Sequence, residues 1–129
     1  MHLLVDTHVL LRAMAQPDRL PAAARTMLES PENEVSFSAA SIWEIAIKMQ
    51  IGRLDLPLAP EELAQAAVRM GFEELPIRAA HAARVRTLPP YHRDPFDRLL
   101  VAQALHHPAR LLTADRVLAR YSELVEVIG

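Results

Sequence analysis

The sequence predicts an α/β fold, a three-layer sandwich with helices on both faces of a mostly parallel central sheet. Short apolar runs alternate with stretches of helical periodicity along the whole chain, as parallel strands joined by crossover helices require. The runs Leu3-Leu4-Val5 and Leu111-Leu112 are continuously apolar, the pattern of strands covered on both faces. The length, 129 residues, suits one domain, and with 51% hydrophobic residues but one Trp, two Tyr and three Phe its core is aliphatic.

Each element follows from local chemistry. Leu3-Leu4-Val5 is the first strand, closed by Asp6, and Thr7-His8 lead into a helix over 9–15 that stops before Pro17. A second helix, 22–29, ends at Ser30-Pro31, and Val35-Ser36-Phe37 forms the second strand. Ser38 or Ser41 opens the next helix, which runs to about Gln50 with Gly52 as its C-cap. Residues 53–60 form a loop, and Pro60-Glu61-Glu62 starts a helix reaching Met70 and ending at Gly71. A third strand over 72–75 and a helix over 78–87 follow, closed by Pro89-Pro90. Asp94 is then a good N-cap, with Pro95 at the first helical position and Asp97 placed like the return arm of a capping box. The next two turns, Leu99 to Leu105, are almost wholly apolar, so this helix is buried on most of its circumference. A strand over 110–113 leads through Ala114-Asp115 into a short helix, and Val125-Glu126-Val127-Ile128 is an edge strand.

In the helix after the second strand, Ile42, Ile45, Ala46 and Met49 share one face, and Trp43, Ile47 and Ile51 an adjoining one. Ser41, Glu44 and Lys48 occupy the narrow polar stripe that remains. That stripe is either an exposed i,i+4 ion pair, worth about 0.3–0.5 kcal/mol, or the wall of a polar cleft.

Composition removes several classes of function. No apolar run approaches the roughly 18 residues of a membrane span, and the N-terminus lacks the charged region and apolar stretch of a signal peptide. The chain has no cysteine, which excludes disulfides and thiolate zinc sites and fits a reducing cytoplasm. Residues 1–64 hold five Lys and Arg against nine Asp and Glu, and residues 65–129 hold nine against seven. With no general basic footprint, a polyanion must be held by a few arginines and a metal.

The acids point to a site. In a parallel α/β sheet, ligands bind outside the carboxyl ends of the strands at the switch point. Asp6 and Asp115 each close an apolar strand there, Glu44 reaches the same rim, and Asp97 and Asp94 join them if their helix begins on that side. Such a group of carboxylates must bind a cation, pair with arginine or take up protons. Hard oxygen donors without cysteine select Mg²⁺ or Mn²⁺, and phosphodiester hydrolysis is the natural chemistry of such an ion.

Four blocks of sequence, Val5-Asp6-Thr7, Ser41-Ile42-Trp43-Glu44-Ile45-Ala46-Ile47-Lys48, Asp94-Pro95-Phe96-Asp97-Arg98-Leu99-Leu100-Val101-Ala102-Gln103-Ala104 and Leu111-Leu112-Thr113-Ala114-Asp115, together resemble PIN-domain nucleases. The match is nearest to the VapC-type toxins of bacterial and archaeal toxin–antitoxin pairs, and it spans nearly the whole chain. The resemblance implies a PIN-like fold and a Mg²⁺- or Mn²⁺-dependent endoribonuclease that acts on RNA as a homodimer and is inhibited by a cognate antitoxin. Carried over by position, Asp6, Glu44, Asp97 and Asp115 match the family's acids. Asp6, Asp97 and Asp115 would hold the ion, Glu44 would orient the attacking water or join the ligands, and in-line attack would leave a 5′-phosphate and a 3′-hydroxyl. Asp94 is an extra carboxylate, either a cap or a further metal contact. Thr7 and Thr113 are placed to hydrogen-bond the acids or a metal-bound water. Arg98 and Arg116 are either ligands of the scissile phosphate or solvated surface residues.

Four other readings are open to test on the residues. His106-His107 fit a favourable interaction with a helix C-terminus, and His8 and His92 flank the acidic blocks, so a metal-free two-histidine ribonuclease is a weak rival. A response-regulator phosphoacceptor lacks its paired acids and late lysine, and a dehalogenase-like phosphatase lacks a second Asp where His8 stands. The rival from another class is a catalytically inactive PIN-like module that binds RNA or protein.

Overall fold

The computed structural model describes residues Met1–Gly129. Five strands, β1 (His2–Val5), β2 (Glu34–Ser38), β3 (Glu73–Leu75), β4 (Arg110–Thr113) and β5 (Val125–Val127), form one sheet in the order β3-β2-β1-β4-β5. Every pairing is parallel, so the expected mostly parallel sheet is wholly so. The helices are α1 (Thr7–Ala15), α2 (Ala22–Glu29), α3 (Ala39–Gln50), α4 (Pro60–Arg69), α5 (Ala79–Arg84) and α6 (Pro95–His106). None is long and apolar enough to cross a membrane.

The pleat of β1 explains the three layers. Leu3 and Val5 point into a cluster with Val9 and Leu10 of α1, Ala24 of α2, Ile45 of α3 and Leu63 of α4. Leu4, between them, points the other way, against Leu100, Val101 and Ala104 of α6 and Leu118. All three strand residues are fully enclosed, which is why the run carries no alternation.

Several local expectations shift by a residue or two. The third strand starts at Glu73 rather than Phe72, and the helix expected over 78–87 is α5 followed by a 3-10 turn, Val85–Thr87. Ser38, not Ser41, caps α3, accepting from the Ala40 N–H at 3.0 Å. The adjoining apolar face of α3 is only partly covered. Trp43 is 57% exposed and meets Phe96 edge-on at 5.1 Å, and Ile51 is equally exposed.

The order of the strands places the switch point at β1. The chain moves outward from β1 through β2 to β3, then crosses back to place β4 on the other side. Asp6 follows the central strand there, and Asp115 follows its neighbour β4.

Candidate active site

Asp6 extends the sheet by one bond, its N–H donating to the Leu112 carbonyl at 3.0 Å, and then turns into the N-cap of α1. Its Oδ1 accepts from the Val9 N–H at 2.8 Å. The side chain is buried, at 2% exposure, and that burial raises its carboxyl above the ordinary value. Hydrogen bonds from Thr113 and Val9 and the charge of His8 work against the rise, and Glu44 adds to it.

Glu44 lies one turn into α3 and is 3% exposed. Its Oε2 takes the ammonium of Lys48, while Oε1 is enclosed with no hydrogen-bond partner. The polar stripe of this helix is therefore the wall of a buried site and not a surface pair. Asp97 stands in the first turn of α6. Burial, then the charges of Asp94 and Asp6, push its carboxyl up to about 7, with Glu44 adding to the rise and His92 opposing it. The helix does begin at the carboxyl end of the sheet, as the site required.

Asp115 caps a 3-10 turn, Arg116–Arg120, its Oδ1 accepting from the Val117 N–H at 3.0 Å and its own N–H donating to Thr113 Oγ1 at 3.0 Å. It shares a shallow cleft with Asp6, Asp97, His8, Arg12 and Ala114. Donor atoms of Asp97, Asp115 and His92 lie within 4.8 Å of one another.

This arrangement fits a hard divalent cation. Acids from three elements converge: Asp6 and Glu44 are buried, Asp6 and Asp97 have raised proton affinity, and one fully enclosed Glu44 oxygen has nothing to bond. An unpartnered buried carboxylate oxygen is costly, and a bound Mg²⁺ or Mn²⁺ removes that cost.

The remaining expectations divide. Thr7 is buried and donates to Ser41 Oγ at 2.9 Å, tying α1 to α3 beneath the acids, and Thr113 is fully enclosed. Asp94 is a cap, its Oδ1 accepting from the Phe96 and Asp97 N–H groups at 2.8 and 3.1 Å. The capping-box return from Asp97 is not made, because the Asp94 N–H donates instead to His92 Nδ1 at 3.0 Å. Arg98 is a correction. Its guanidinium donates to the carbonyls of Val85, Leu88, Pro89 and His92 and to the Tyr121 hydroxyl, so it fixes the loop before α6 and is not free to hold a phosphate. Arg116 is exposed and makes no ion pair. His106 and His107 do more than end a helix, since both rings pack against the buried ring of His81.

One residue of the site escaped the sequence, and another, His92, was noticed beside the acids without the contact it makes. Arg12 lines the cleft and forms no ion pair. The i,i+4 spacing of His8 and Arg12 on α1 was an available signal, for it puts both on one helix face near Asp6. His92 has its Nε2 2.8 Å from Asp115 Oδ2, a contact across 23 residues that no local pattern marks.

Three comparisons with known proteins bear on the family and the fold. The PIN domain family model matches residues 3–124. Ribonuclease VapC22 of Mycobacterium tuberculosis (strain ATCC 25618 / H37Rv) is 33% identical over 118 residues, covering 88% of this chain and 86% of that protein. Among solved structures, VapBC2 from Rickettsia felis bound to a DNA fragment from their promoter superposes with a TM-score of 0.71 at 15% identity, covering all of both chains. FitAcB from Neisseria gonorrhoeae gives 0.62 at 19% identity over 98% of this chain and 96% of that one. At those identities the two structures speak for the fold.

Proposed function

The chain belongs to the PIN-domain family, and from that premise we propose that it is a metal-dependent endoribonuclease, the toxin of a toxin–antitoxin pair. The observation that carries the reading is the convergence of Asp6, Glu44 and Asp97 at the switch point of the sheet, with Asp6 and Glu44 almost wholly buried and one Glu44 oxygen without a partner. The relative's name, a ribonuclease, supports RNA as the substrate, and the VapBC complex among the solved structures supports an antitoxin as partner. A homodimer and a cytoplasmic setting complete the proposal.

In this reading Asp6, Asp97 and Asp115 would hold the ion, and Glu44 would orient the attacking water or join the ligands. When bound, Mg²⁺ or Mn²⁺ supplies Lewis-acid stabilisation of the phosphoryl oxygens and lowers the pKa of water. The chain's own residues do the rest. Thr7 and Ser41 lock the ends of α1 and α3 so that Asp6 and Glu44 keep their spacing. Lys48 holds one Glu44 oxygen and leaves the other bare. Arg12, without an ion pair on the cleft wall, contacts the substrate phosphate, and the exposed Arg116 extends that contact. Asp94 acts as a cap and lends its charge to Asp97.

RNA cleavage is to be measured with Mg²⁺ or Mn²⁺, with and without EDTA, for the wild type and Asp97→Asn. We expect EDTA or the substitution to cut the rate about a hundredfold or more. Cleavage indifferent to both would overturn the reading. RNA binding with no cleavage under any condition would leave the inactive binding module in its place.

A further inference from the structure

His92 is held at four points. Its backbone N–H donates to the Tyr121 hydroxyl at 2.9 Å, and its carbonyl accepts from Arg98 at 3.4 Å. Its Nδ1 accepts from the Asp94 N–H at 3.0 Å, and its Nε2 lies 2.8 Å from Asp115 Oδ2 and 3.5 Å from Asp97 Oδ2. Because Nδ1 accepts an amide proton, the ring's own proton must sit on Nε2, between the two acids. A ring so disposed is a donor, not a metal ligand.

The consequences fall on Asp115. Its Oδ1 already accepts from the Val117 N–H, so His92 supplies the only side-chain donor to its other oxygen. Without that bond, Asp115 sits at the start of an exposed turn beside the half-buried carboxyl of Asp97, and both solvation and repulsion favour its turning away. With it, an acid following β4 and an acid opening α6 present themselves as a fixed pair.

We propose that His92 is a positioning residue of the cation site, bridging Asp115 and Asp97 so that a divalent ion meets both in a set geometry. The inference rests on the reading that this site binds such an ion. A ring that only closes the loop would matter to folding and not to metal affinity. Groups that orient metal ligands from behind commonly set affinity by ten- to a hundredfold.

Mn²⁺ binding, measured by calorimetry on the intact protein without RNA, separates these roles. The wild type binds Mn²⁺, His92→Ala binds it about tenfold more weakly or worse, and His92→Gln, whose amide restores a donor near the Nε2 position, recovers most of the loss. If the alanine variant does not fold, His92→Leu, which keeps bulk and lacks the donor, takes its place. Mn²⁺ affinity of the donor-less variant within twofold of wild type would overturn the inference and leave the nuclease reading standing. A wild type that binds no Mn²⁺ would remove both. Nitrogen-15 NMR of the wild type adds an independent check, since a ring protonated on Nδ1 in the presence of Mg²⁺ would equally defeat the proposal.

Discussion

The two ends of the sheet both carry clefts lined with polar side chains, and they treat those side chains in opposite ways. At the amino end, His2, Ser36, Glu73, Glu74 and His107 surround one depression. Its ion pair, His2 to Glu34 at 2.9 Å, stands in water with side chains 68% and 64% exposed. At the carboxyl end, Asp6 and Glu44 are almost wholly enclosed and Asp97 has its carboxyl raised to about 7. Exposed charges are solvated at almost no cost and contribute almost nothing. Buried acids short of partners weaken the fold, and they persist where something else gains from them. The informative quantity is therefore not how many acids share a cleft but how many lack a partner once there.

That contrast can be broken most directly through pH. Asp97 has its folded-state carboxyl raised from the ordinary carboxylate range to about 7, so the stability it contributes is complete below about pH 4 and is lost as pH rises through about 7. Asp6 is raised in the same direction. In EDTA, Asp97→Asn should match the wild type near pH 4 and exceed it by about 2–4 kcal/mol at pH 8, read from urea unfolding. Adding Mn²⁺ at pH 8 should reverse that order. Equal stability of the two proteins at every pH would place Asp97 among ordinary solvated acids.

A smaller effect is expected at the wall of the same site. Lys48→Ala strips the partner from an enclosed carboxylate and should cost about 1–3 kcal/mol. Glu44→Gln should leave the melting temperature nearly unchanged and abolish cleavage. If Lys48→Ala is as mild as a surface substitution and cleavage survives Glu44→Gln, the pair belongs with the amino end.

The smallest effect is the control. Glu34→Gln removes an exposed pair and should stay within about 0.5 kcal/mol of wild type in stability, with cleavage unaltered. A larger loss in either would show that the amino end carries more than solvated charge.

The sequence displayed the layers because they depend on local patterns. The apolar run before Asp6, the serine opening α3 and the Asp94-Pro95 start of α6 each act within a few residues, and each was legible. The acids were legible for the same reason, Asp6 and Asp115 standing at strand ends, Asp97 in a first turn and Glu44 one turn into α3. Arg98 was left between a phosphate ligand and a solvated residue and is neither, since one residue along a helix from Asp97 is a 100° rotation, enough to turn the guanidinium to the loop carbonyls. His92 was legible as a neighbour of the acids but its bond to Asp115 was not, because that contact depends on a loop shaped by Arg98 and Tyr121, made only after the chain has folded. The exposure of Trp43 followed no local rule either, since periodicity reports an apolar face and not what covers it.

The register of the central strands bears on when such a molecule becomes dangerous to its maker. Val5 of β1 pairs with Leu112 of β4, so the first acid and the last are brought together only by a closure spanning most of the polypeptide. A nascent chain that has emerged through α4 holds Asp6 and Glu44 but neither Asp97 nor Asp115. Any chemistry that needs all four acids must therefore wait until β4 has been made and slotted in beside β1.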